Sequence, residues 1–210
     1  FFFGVSVIFF FFYFFCFFLY FFFFFVFLFF FFAATYFCFI FLFFIFFCSI
    51  FGDIFVLFLE GDQIKKIVFP LLNPLFCFTD DTVLTIAIAK AILDDRNYFK
   101  AVREIGRKYP HAGYGGSFIH WLRSADPKPY NSWGNGSAMR VSPVGFAFDT
   151  VDAVLQEAAR SAEISHNHPE GVKGAQATAL SVYLARTTRD KTLVRREVVD
   201  RFGYDLDRTV

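Results

Sequence analysis

The first 51 residues contain no Asp, Glu, Lys, Arg or His. Every charged side chain of the 210-residue chain lies from Asp53 onward. That second part is about 160 residues long, enough to enclose one sizeable core. The formal net charge of +1, from 20 basic and 19 acidic residues, therefore belongs wholly to it. So even a balance leaves no electrostatic footprint for nucleic acid. It also excludes a polybasic patch for a membrane surface. Cysteine is scarce: Cys16, Cys38 and Cys48 sit in the uncharged part and only Cys77 in the charged one. No C-x-x-C pair exists, which excludes the common zinc and redox motifs and a disulfide framework. The charged part reads as cytoplasmic. No stretch alternates apolar and polar residues for long, and no internal repeat is visible.

What the first 51 residues do contain is phenylalanine, 29 times. One membrane span needs roughly 20 apolar residues, so the run is long enough for two. Only Ala33-Ala34-Thr35 breaks it, and no basic flank sets an orientation on the N-terminal side. It also lacks the charged start of a secretory signal. Apart from Gly4, Ala33, Ala34 and Thr35, all its residues are Phe or lie one base change from a Phe codon. Translated T-rich, low-complexity DNA produces that composition, and a natural spanning helix does not. Two readings stand: a compositional accident, or a membrane segment that would anchor the chain.

The charged part reads as all-α, with helices joined by Gly- and Pro-rich loops. Thr82–Leu93 is apolar on most faces and opens behind Thr79-Asp80-Asp81, which predicts a central core helix. Asn97 is suited to cap a second helix, with Phe99, Val102, Ile105 and Tyr109 at helical spacing. Pro110 ends it. A long loop is expected over 111–149, interrupted by a short helix around 118–123. Loops of that length in compact domains usually carry function. Thr150 can cap a helix with Val151, Val154, Leu155, Ala158 and Ala162 on one face. Further helices are expected at about 169–187, opened by Pro169, and 193–202, stopped by Gly203.

Three groups of residues can carry chemistry. Thr79, Asp80 and Asp81 place a hydroxyl and two carboxylates at a helix start. Hard oxygen donors of this kind suit Mg²⁺ or Mn²⁺, although acidic first turns also cap helices with no ion present. Successive residues on a helix point about 100° apart, so Asp80 and Asp81 can address different ions. Asn135-Gly136-Ser137-Ala138-Met139-Arg140 offers backbone N–H groups in a small-residue turn, a pattern that can hold an anion. Ser165-His166-Asn167-His168-Pro169 has a paired-histidine spacing. No further His or Cys clusters with it, so His166 reads as a ligand-contacting donor or a helix cap rather than a zinc ligand.

The order G-D-I, E, F-T-D-D-T-V, G-Y-G, G-N-G-S-A-M-R-V-S-P and S-H-x-H-P-E-G resembles that of the ADP-ribosylglycohydrolases, including the dinitrogenase reductase-activating glycohydrolases. The resemblance runs from Gly52 to Val210. It implies an all-α helical bundle with a two-metal centre in a cleft. Thr79, Asp80 and Asp81 match its first metal-ligand group. Glu60, seven residues beyond Asp53, stands where the family has its catalytic glutamate. Gly113, Tyr114, Gly115 and Ser117 match a loop lining the ADP-ribose cleft. Asn135, Gly136, Ser137 and Met139 match the loop that cradles the diphosphate, and His166 matches a substrate-contacting histidine.

The implied activity is hydrolytic removal of ADP-ribose from a modified protein or small molecule, assisted by two Mg²⁺ or Mn²⁺ ions. Two departures bear on it. Val56 and Leu57 stand where the family usually has Gly-Ser. The family's second D-x-D-T-like cluster has no counterpart, since Asp205-Leu206-Asp207 reads as structural. The chain is therefore expected to be a C-terminally truncated domain with weak metal binding and impaired turnover. The alternatives are a non-catalytic ADP-ribose-binding remnant and a membrane protein whose Phe-rich segment is the functional part.

Overall fold

The structure is a computed structural model, and it describes residues 78–207. The Phe-rich segment, Gly52-Asp53-Ile54 and Glu60 lie outside the described residues. Those described form eight helices and no strand: α1 Asp80–Leu93, α2 Tyr98–Lys108, α3 Gly116–Arg123, α4 Gly136–Met139, α5 Ser142–Ala147, α6 Val151–Glu163, α7 Pro169–Thr188 and α8 Lys191–Phe202. The described residues are all-α, as the sequence pattern predicts. Among the described residues no helix is long and apolar enough to cross a membrane.

The helix ends follow local chemistry. Thr79, Asn97 and Thr150 each accept a backbone N–H in the first turn of α1, α2 and α6. Pro169 opens α7, where its missing N–H costs nothing. Gly203 closes α8 in the left-handed conformation, at φ +68°.

Helix α1 is buried on nearly every face, through Val83, Leu84, Ala87, Ile88 and Ala91. Burying each of the Val, Leu and Ile side chains there contributes about 1.5–3 kcal/mol. The short helices α4 and α5 each pack against both α1 and α7. Gly145 makes the α5–α7 contact possible. A Cβ at that position would lie 2.5 Å from the Ala179 carbonyl oxygen.

Two expectations need correction. The buried stripe of α2 is Tyr98, Ala101, Val102 and Ile105, while Phe99 and Tyr109 are exposed. The Asn97 cap starts the helix at Tyr98, whose hydroxyl donates to buried Glu157 Oε2 at 2.7 Å. That bond turns Tyr98 inward and leaves Phe99 on the flank, edge-on to Trp121. The loop over 111–149 is broken three times, by α3, α4 and α5.

Candidate functional site

The start of α1 gathers the acidic group. Thr79 Oγ1 accepts the Asp81 N–H at 3.4 Å and donates to Asp81 Oδ2 at 3.3 Å. Asp80 lines a pocket of about 250 Å³. Gly113 takes φ +91°, which only glycine adopts without strain. Its turn passes close to Asp80: a Cβ on Gly113 would lie 3.8 Å from Asp80 Oδ1.

The second wall is built from the segment after Tyr130 and the end of α6. Hydrogen bonds tie the two together. The Tyr130 N–H donates to the Ser165 carbonyl at 3.2 Å, and the Asn131 N–H to Asn167 Oδ1 at 2.7 Å. Ser137 Oγ donates to the Gly171 carbonyl at 2.7 Å. Asn135, Gly136 and Met139 line the pocket together with His166. His166 Nε2 reaches so close to Gly136 that a Cβ there would sit 2.8 Å from it.

Beneath this wall lies Arg140, which is fully buried and also lines the pocket. Its Nη2 donates to the Ser161 carbonyl at 2.9 Å and to Ser165 Oγ at 3.0 Å. Nε and Nη1 have no hydrogen-bond partner among the described residues. No carboxylate of the described residues pairs with it. Burial lowers its pKa from 12.5 to about 10, so it stays cationic at neutral pH. His166 is pulled down from 6.5 to about 4, first by burial and then by the Arg140 charge. The imidazole is neutral at physiological pH.

The sequence-derived residues thus divide. Asp80, Gly115, Ser117, Asn135, Gly136, Met139 and His166 line one pocket. The side chains of Tyr114 and Ser137 turn elsewhere. The Tyr114 hydroxyl donates to the Gly106 carbonyl at 3.2 Å, and burial followed by the Asp80 charge raises its pKa. Glu60 is outside the described residues. His166 caps no helix; that place belongs to His168, whose Nδ1 accepts the Glu170 N–H at 3.1 Å. The two histidines therefore diverge. Asp207 pairs with Arg195, and its N–H donates to Asp205 Oδ1, which ties the Asp-Leu-Asp stretch to α8.

Sequence reasoning missed Tyr130, Ser132 and Arg140 in the pocket wall. For Arg140 the signal was present: one charge in a run of small and apolar residues from Gly134 to Gly145. A second pocket, of about 560 Å³, shares Gly116, Ser117 and Tyr130 with the first and extends to His120, Asp126 and Lys128. Trp133 stands 77% exposed beside Gly134.

No three His, Cys, Asp or Glu side chains of the described residues cluster to hold a metal ion. Thr79, Asp80 and Asp81 fit a hard divalent cation by donor type, and would supply only part of its coordination shell.

The sequence profile of ADP-ribosylglycohydrolase matches residues 46–208. The chain belongs to the ADP-ribosylglycohydrolase family. Curated relatives include the ADP-ribosylhydrolase ARH3 of Bos taurus, 30% identical in an alignment of length 128 that covers 52% of this chain and 35% of the relative. The ARH3 of Mus musculus is 32% identical in an alignment of length 127 that covers 51% of this chain and 34% of the relative. That of Homo sapiens is 30% identical in an alignment of length 127, with coverages of 51% and 35%. The chain spans about a third of the length of these curated relatives.

Proposed function

We propose that the pocket binds ADP-ribose and that the chain acts in its hydrolytic removal from a modified protein or small molecule. One observation carries this reading. Asp80, from the start of α1, shares a single pocket with Arg140, His166 and the Asn135–Gly136 turn. The pocket therefore offers acceptors from one wall, and a cation and hydrogen-bond donors from another. ADP-ribose has the matching halves, a diphosphate for the donors and ribose hydroxyls for the acceptors. Membership of the family supports the same ligand.

Cleaving a ribosyl bond builds positive charge on the sugar. Asp80 is the carboxylate of α1 that lines the pocket, and the Arg140 side of the pocket offsets the charge of the phosphates. Thr79, Asp80 and Asp81 are the residues to hold a divalent cation, Mg²⁺ or Mn²⁺. When bound, such an ion orients ribose hydroxyls and lowers the pKa of water. Glu60 is assigned the proton transfer between water and the leaving group. Trp133 offers an exposed aromatic face beside the turn for the base.

The test is release of ADP-ribose from a modified peptide by the full chain with Mg²⁺. Release that Glu60→Gln suppresses at least about 100-fold supports hydrolysis. Binding of free ADP-ribose without release restricts the role to recognition. A chain that neither binds nor releases ADP-ribose overturns the reading.

A further inference from the structure

We propose that Arg140 is a positioning residue: through Ser165 it fixes the tautomer of His166, so that His166 meets its ligand as an Nε2–H donor. The ligand side of this inference rests on the ADP-ribose reading. The tautomer itself does not.

The inference follows from donor and acceptor identities along a buried chain. A guanidinium has donors only, so the Arg140 Nη2–Ser165 Oγ contact at 3.0 Å makes Ser165 the acceptor. Ser165 is fully buried, and its hydroxyl hydrogen must find an acceptor. His166 Nδ1 lies 2.9 Å from Ser165 Oγ, and no other acceptor faces that hydroxyl among the described residues. If Nδ1 carried the proton, the hydroxyl hydrogen would be buried with nothing to bond. The satisfied arrangement therefore runs from Arg140 Nη2–H to Ser165 Oγ, then from Ser165 O–H to His166 Nδ1. The remaining proton belongs on Nε2.

The placement of Nε2 gives that tautomer a use. This is the nitrogen that lies against Gly136, at the turn assigned to the diphosphate. The His166 main-chain N–H is held separately by the Ala162 carbonyl at 2.8 Å, so the ring has a fixed base. The Tyr130 ring packs against the imidazole at 5.7 Å. Asp80, Tyr130 and Arg140 are the ionisable groups that share the pocket with it. Arg140 never touches the ligand in this scheme. It acts by donating to Ser165 Oγ, which turns the hydroxyl hydrogen away from the guanidinium and toward His166 Nδ1.

The experiment labels the four histidine rings of the full chain with ¹⁵N and reads long-range ¹H–¹⁵N correlations. His166→Gln assigns the signals. In the wild type, His166 shows an unprotonated Nδ1 and a protonated Nε2. Ser165→Ala removes the link and gives a mixture of tautomers, and Arg140→Met does the same. Ser165→Ala also raises the Kd for ADP-ribose about tenfold, with the melting transition in place. A protonated Nδ1 in the wild type, or a single Nε2–H tautomer persisting in Ser165→Ala, overturns the proposal. If the wild type binds no ADP-ribose, the function proposed above fails, and the ring spectra still decide the tautomer.

Discussion

The two walls of the pocket are built on opposite terms. The wall from α1 presents the Asp80 carboxylate at a helix start, beside the Gly113 turn, and Asp80 is only partly buried. The wall from Tyr130 to Arg140 and Ser165–His166 places its cation wholly inside the protein, with two guanidinium nitrogens unpartnered among the described residues. A partly buried acidic first turn is inexpensive to build, because the helix dipole favours it and its remaining solvent contact screens it. A buried cation without a carboxylate is costly, with a desolvation penalty of several kcal/mol per ion. The acidic wall is thus consistent with folding alone, whereas the basic wall holds a buried charge that no carboxylate of the described residues offsets. Arg140 is for that reason the stronger pointer to a ligand, although the acidic motif is the more visible one in the sequence.

Substitutions can break this contrast, the largest effect coming from the acidic wall. Asp80→Asn keeps the shape of the side chain and removes its charge. It is expected to lower ADP-ribose release at least about 100-fold while leaving the melting transition nearly unchanged. Near-normal release in that variant would show that the start of α1 is only a cap. Arg140→Met should separate binding from stability. ADP-ribose affinity is expected to fall about 30-fold, while folding stability stays within about 2 kcal/mol of wild type or rises. A loss well beyond that in chemical denaturation would make Arg140 a structural staple, held by its bonds to Ser161 and Ser165.

The pH dependence of stability sharpens the same contrast. His166 has a folded-state pKa of about 4, against an ordinary value of 6.5. Between those values the unfolded chain binds the proton and the folded chain does not. Stability from this residue is therefore complete above pH 6.5 and is lost as pH falls toward 4. After discounting for water in the pocket, the loss is about 1–2 kcal/mol, and His166→Gln removes it. The measurement is denaturant unfolding at pH 4.5 and 7 for both proteins. An identical pH slope in the two would leave His166 without the shift.

Much of this was legible in the sequence where one local group decides the outcome. Thr79, Asn97 and Thr150 announce three helix starts, and Pro169 and Gly203 mark a start and a stop, each by its own hydrogen bonds or backbone restriction. What escaped depends on distant neighbours. Phe99 is exposed because Tyr98, one residue away, reaches Glu157 across the fold. The helices α4 and α5 are too short and glycine-bearing to form from propensity, and packing on α7 holds them. Within the site, residue order pointed to the right segments but not to which part of each residue faces the pocket. Tyr114 and Ser137 turn their hydroxyls to backbone carbonyls instead. Arg140 was passed over because arginine is rarely buried unpaired, and burial is a property of the assembled fold.

The smallest expected effect concerns Asp207, the carboxylate whose setting in the sequence most imitates that of Asp80. Both follow the pattern of an Asp near another Asp, and composition alone does not separate them. The fold does. Asp80 lines a pocket, whereas the Asp207 side chain is 87% exposed and pairs with Arg195 on the surface. An exposed pair of this kind contributes about 0.2–1 kcal/mol, and salt screens it further. Asp207→Asn is therefore expected to lower stability by no more than about 1 kcal/mol. It should leave both ADP-ribose affinity and the response of the chain to Mg²⁺ unchanged. Calorimetric titration of the two variants side by side makes the comparison direct. A loss of Mg²⁺ binding in Asp207→Asn equal to that in Asp80→Asn would place both carboxylates around one ion, and the division of the site into an acidic wall at α1 and a basic wall at Arg140 would have to be redrawn.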